Sequence, residues 1–137
     1  MILAGIPLLV IPFLIYNVLA FTTDVQWALP VTSVHMVSDG RWDMSLGDML
    51  IAFSVLVLFV ELIKSTRVGM RTIIVHMLSA VLFAIMLIEF LLFKQAATAT
   101  FFILLIISFV EMLAGFTISV RTAQRNIEID NPDKLAS

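Results

Sequence analysis

Cysteine is absent from the 137 residues, which removes disulfides, thiolate metal sites, iron–sulfur clusters and thiol redox chemistry together. Charge is scarce as well. Eight Lys and Arg against ten Asp and Glu give a formal net charge of −2, and charged residues make up 13% of the chain. Soluble domains are about 25% charged and about 45–50% apolar. Here the apolar share is 61% and the mean hydropathy is +1.12, outside the range of an ordinary water-soluble domain. A disordered chain is excluded too, since disorder needs low hydrophobicity and high charge. No basic run is long enough to neutralise a row of phosphates, which argues against a nucleic-acid partner. The sequence also lacks a phosphate-cradling glycine loop, a two-histidine helical metal motif and a nucleophile–base pair of recognisable spacing. These gaps predict no catalytic residue, no bound cofactor and no metal. They leave a small integral membrane protein whose first partner is the lipid bilayer.

A helical span needs about 20 mostly apolar residues to cross the hydrocarbon core. Four stretches approach or reach that length: 2–21, 46–63, 70–93 and 100–120. The polar remainder is too short for a separate soluble domain, so the whole chain reads as one transmembrane domain with an outer loop at 22–45 and a tail at 121–137. Val18-Leu19-Ala20 loosely resembles a signal-peptide cleavage site, but Met1 to Pro7 carries no Lys or Arg. A signal peptide has a positive n-region, so the first stretch is expected to be a retained helix. Pro7 fits its first turn, and Pro12 is expected to kink it by removing a backbone hydrogen bond.

Positive residues mark the cytoplasmic side. Lys64, Arg67 and Arg71 fall in the link between the second and third stretches, and Arg121, Arg125 and Lys134 follow the fourth. The other links hold only Arg41 and Lys94. Both termini are therefore expected inside. In the outer loop, Asp39-Gly40 between Val34–Ser38 and Arg41–Leu46 signals a two-residue hairpin turn. That turn would set Val37 opposite Trp42 and His35 opposite Met44, with Arg41 and Asp43 on the other face. An irregular loop is the alternative. Trp27 and Trp42 are expected at headgroup depth. Ser45-x-x-Asp48 reads as a capping box opening the second helix.

Ionisable residues at membrane depth are functional candidates, because hydrocarbon disfavours their charge. Glu61, His76, Glu89 and Glu111 qualify. At about 1.5 Å per residue, Glu111 falls near the midplane, His76 roughly 9 Å and Glu61 roughly 5 Å from the cytoplasmic end. Ser108, Glu111, Gly115 and Ser119 share one helical face; Gly47, Ser54, Glu61 and Ser65 share another, and Thr72, His76 and Ser79 a third. Glu111 can either carry a proton or simply cement helix packing as a hydrogen-bonded acid. Glu61 can pair with His76, since a short link should fold their helices into an antiparallel hairpin. The simpler expectation is that Glu61 extends to the interface beside Lys64 and Arg67. Glu89 and Lys94 are expected to form an interfacial charge pair. His35 and His76 are expected at opposite faces, so two-histidine haem ligation within one chain is not expected. Ala80-x-x-x-Ala84 and Gly115-x-x-x-Ser119 are small-residue patterns that suit close helix packing.

The runs DMLIAFSVLVLFVELIKSTR at Asp48–Arg67, EF at Glu89–Phe90 and EMLAGFTISVR at Glu111–Arg121 resemble a group of uncharacterised four-span proteobacterial inner-membrane proteins. That resemblance implies a bacterial inner-membrane location and no particular activity. The fold expected is an all-α, four-helix transmembrane bundle with a small extracytoplasmic hairpin or loop between its first two helices. The function expected is non-catalytic: an accessory, assembly or regulatory subunit of a larger membrane complex, or a homo-oligomer. The alternative is a proton-coupled transporter or channel subunit using Glu111, with His76 and Glu61 as a relay.

Overall fold

A computed structural model describes residues 6–65 and 70–130. In chain order these form α1 (Val10–Thr22), β1 (Pro30–His35), β2 (Arg41–Ser45), α2 (Leu46–Ser65), α3 (Met70–Leu92), a single 3₁₀ turn (Lys94–Ala96) and α4 (Ala99–Asp130). Among the described residues, three helices are long and apolar enough to cross a membrane, namely α2, α3 and α4; α1 is apolar but shorter. Positions 2–5 of the first expected stretch, Arg67 and Lys134 lie outside the described residues, as do the side chains of Ser65, Arg71, Thr72, Ser119 and Arg125.

Helix α1 is shorter than the sequence suggested, and its prolines act differently. At its start, the amides of Val10 and Ile11 donate back to the carbonyls of Pro7 and Leu8 at 3.1 and 3.0 Å. Pro12 is then the third residue of the helix. A missing N–H in the first turn costs no intrahelical bond, so the kink expected at Pro12 is not required. Helix α2 opens on the capping box: Ser45 N–H donates to Asp48 Oδ2 and Asp48 N–H to Ser45 Oγ, both at 3.1 Å.

The loop between α1 and α2 is a hairpin, with a longer turn than expected. Asp39 N–H donates to Met36 O at 3.1 Å, Met36 N–H to Gly40 O at 2.8 Å, and Asp39 has φ 63°. That is a three-residue loop closed by a left-handed bulge residue, the alternative to the two-residue turn. Trp42 consequently faces Val34 and Met44 faces Thr32, while Arg41 and Asp43 face His35 and Ser33. Val37 stands fully exposed at the tip. His35 therefore joins the charged face, not the apolar one.

Each long helix buries one stripe at the helical period. On α2 it runs through Gly47, Leu50, Ser54 and Glu61, on α3 through His76, Ser79, Leu82, Met86 and Glu89, and on α4 through Phe101, Leu104, Ser108, Glu111 and Gly115. Ala84 is exposed, so the Ala80-x-x-x-Ala84 pattern is not a contact within this chain. Helix α4 is the main partner of both α2 and α3. The expected α2–α3 hairpin packing is thus replaced by α4 lying against each. Its Ser108 and Gly115 let two neighbours approach one narrow face. Helix α4 also continues to Asp130 through what the sequence suggested was a tail. Residues 121–130 contain no Pro or Gly, and a polar segment of ordinary helix formers extends a helix as readily as an apolar one.

Candidate functional site

Helices α3 and α4 run antiparallel, as their ring contacts show: Phe83 with Phe109 at 5.3 Å, and Phe90 with Phe101 and Phe102 at 6.1 and 6.0 Å. Continuing that register towards the α2–α3 end brings Ser79 beside Glu111 and sets the His76 ring against Gly115. A methyl group at position 115 would overlap His76 Nδ1, and would lie 2.7 Å from both Cγ and Cε1. Only glycine leaves room for the imidazole one turn from Glu111.

Helix α2 contributes Glu61, a charged neighbour of Glu111. Its carboxylate does not extend outward beside Lys64 as expected. It is buried and accepts the Leu8 amide N–H at 3.3 Å. The start of α1 therefore lies at the Glu61 end of α2. Unpaired amides at a helix start favour a carboxylate there. Lys64 and Arg121 are exposed.

Glu61, His76, Ser79, Ser108 and Glu111 thus converge between α2, α3 and α4, with Ser54 buried on the same stripe of α2. Ser54 and Ser79 donate to the carbonyls of Leu50 and Val75, at 2.7 and 3.0 Å. Because the Ser79 proton goes to Val75 O, Ser79 adjoins Glu111 without donating to it. Both ring nitrogens of His76, the Ser108 hydroxyl and both Glu111 oxygens are buried with no hydrogen-bond partner among the described residues. The exposures of these three residues are 6%, 0% and 1%. Native buried polar groups are nearly always paired, and each one left unmade costs about 1–3 kcal/mol. Five such atoms in one place are the polar anomaly of this interior.

The opposite end holds a second polar set, fully connected. The single tyrosine proton of Tyr16 goes to Gln95 O at 2.8 Å, so Thr98 Oγ1, at 2.7 Å, is the donor to Tyr16. Thr98 Oγ1 in turn accepts the Phe101 N–H at 3.1 Å. Trp27 stacks on the Tyr16 ring at 4.4 Å, and its carbonyl accepts the Gly47 N–H at 3.1 Å. Trp27 is accordingly buried inside the helices, whereas Trp42 is exposed on the hairpin. Glu89 also differs from expectation. It is buried with Asn17 beside it, while Lys94 is exposed. Among the described residues the ion pairs are His35–Asp39 and Arg41–Asp43, both in the hairpin.

Sequence reasoning passed over Tyr16, Asn17, Gln95 and Thr98. The available signal was Tyr16-Asn17, a polar pair inside an otherwise apolar run. Between the two polar sets the described interior is apolar. Residues 101–107 of α4 include no polar side chain, a layer roughly 10 Å thick at helical rise. Leu50, Leu82, Met86, Phe101, Leu104, Leu105 and Ile107 fill it.

Comparison with protein-family models, curated proteins and solved structures finds no match.

Proposed function

We propose that this chain is a bacterial inner-membrane protein with four spans and both termini in the cytoplasm. Its proposed role is a non-catalytic accessory, assembly or regulatory subunit that associates with another membrane protein or with its own copies. The apolar layer between the two polar sets carries this reading. A transporter or channel needs a hydrated path or a substrate cavity through the helices. Seven successive apolar residues on α4, packed by α2 and α3, favour a closed bundle whose remaining resource is its helix faces. The large apolar side chains on those faces suit lipid and neighbouring helices alike. The positive residues at 64–71 and 121–125 support the orientation.

Native mass spectrometry of the protein released from its own membranes tests the role. A defined complex, either a homo-oligomer or a stoichiometric pair with another membrane protein, is the expected result. A monomer carrying only lipid would overturn it.

A proton-coupled role is favoured by one observation, the buried side chains of Glu111 and His76 that have no hydrogen-bond partner among the described residues. In that reading protons enter and leave from the Glu61 end, since the apolar layer lies on the other side.

A further inference from the structure

We propose that the β1–β2 hairpin lies along the phospholipid surface on its own side of the membrane. Val34, Met36, Trp42 and Met44 face the lipid, and Ser33, His35, Arg41 and Asp43 face water. The proposal goes beyond the subunit role and rests on the long helices crossing a bilayer.

The register separates the two faces. Trp42 stands opposite Val34 and Met44 opposite Thr32, and alternation along β1 adds Met36 to that side. This face has no charged residue. On the other, the Ser33 hydroxyl donates to Asp43, Arg41 donates to both Asp43 and Ser33, and His35 lies 3.9 Å from Asp39. These charged groups keep their hydration by pointing away from lipid. The apolar face is left open by the rest of the described chain: Val34, Met36 and Trp42 are 42%, 46% and 49% exposed. A two-stranded hairpin is marginal on its own in water and gains stability when such a face is covered.

The place of the hairpin in the chain identifies the cover. Strand β2 ends at Ser45, and α2, a helix of membrane-crossing length, begins at Leu46. The root of the hairpin therefore sits at the lipid boundary. Trp42 is four residues from Leu46, roughly 13 Å along an extended strand. The polar layer of one leaflet is only about 5–8 Å thick. An upright hairpin would lift Trp42, Val34 and Met36 through that layer into water, whereas a hairpin tipped onto the surface keeps them within it. An indole favours that depth. A protein partner fits this face less well. Stable protein interfaces engage about 20–30 residues a side, and here five side chains are on offer. The bilayer already adjoins the hairpin, so covering them needs no separate association.

The test uses the full chain, which has no cysteine of its own, in vesicles of phosphatidylcholine and phosphatidylglycerol. Nitroxide labels are placed singly at Ser33→Cys, Val34→Cys, His35→Cys and Met36→Cys. Each reports collisions with oxygen, which concentrates in lipid, and with a nickel chelate, which stays in water. The ratio of oxygen to nickel collisions should be several-fold higher at 34 and 36 than at 33 and 35. A ratio that does not alternate would overturn the proposal. So would few collisions with either reagent at 34 and 36, the mark of a protein cover. A label at Ile85→Cys, on the exposed side of α3, is the control. Oxygen preference there shows the helices in lipid, which separates failure of the hairpin proposal from failure of the membrane reading. Should the labels disturb the hairpin, the native tryptophans decide. Acyl-brominated phosphatidylcholine should quench the wild type more than Trp42→Phe, in which only the buried Trp27 remains. Equal quenching in both would overturn the proposal.

Discussion

The imidazole of His76 occupies the space that a side chain at position 115 would fill, and Gly115 is what lets α3 and α4 close around Glu111. Gly115→Ala should destabilise the protein by about 1–3 kcal/mol, the usual range for overpacking a filled interior. Unfolding in mixed micelles measures it. Combined with His76→Ala, which removes the obstructing ring, the same substitution should cost at least ~1 kcal/mol less. Equal costs in both backgrounds would show that the ring does not lie there.

At the other end, Tyr16→Phe cuts a continuous hydrogen-bond chain from Phe101 N–H through Thr98 and Tyr16 to Gln95 O. It leaves the Gln95 carbonyl without this donor and Thr98 without its acceptor, while the stack on Trp27 survives. A loss of about 1–3 kcal/mol is expected, with faster amide exchange at 93–102. Unchanged exchange there would contradict the chain as described.

The hairpin carries a pH dependence of known sign. The Ser33 hydroxyl donates to Asp43, and Arg41 Nε donates to it at 3.1 Å. Together these hold the Asp43 carboxyl below its ordinary value of 3.8. A depressed carboxyl contributes stability above its unfolded value and loses it as the pH falls through the folded one. The contribution of Asp43 to hydrogen-exchange protection across β1 and β2 should therefore be constant above about 4 and be lost below it. Asp43→Asn should abolish that acid-side loss. A hairpin equally protected on both sides of the transition would contradict the assignment.

Much of the fold was legible because it depends on local chemistry. The capping box at Ser45 and Asp48 involves residues three apart, and it forms as the sequence indicates. The apolar run of α3 likewise needs only its own composition. The hairpin register was not legible, since Asp-Gly suits both a two-residue turn and a three-residue loop with a bulge. Here Asp39 takes the left-handed position of the second. The faces containing Glu61, His76 and Glu111 could be read from helical spacing, but their convergence could not. It depends on α4, and not α2, being the neighbour of α3, which loop length does not encode. Glu61 illustrates the same point: its partner, the Leu8 amide, is 53 residues away.

The account as a whole depends on the helices crossing a bilayer with the hairpin on one side and the Glu61 end on the other. A chain without cysteine allows this to be measured directly by single-cysteine labelling in intact cells. Ser33→Cys and Lys94→Cys are expected to react with a membrane-impermeant maleimide from outside. Arg121→Cys is expected to react only after the membrane is opened. Labelling of Arg121→Cys in intact cells, or protection of Ser33→Cys, would contradict the account.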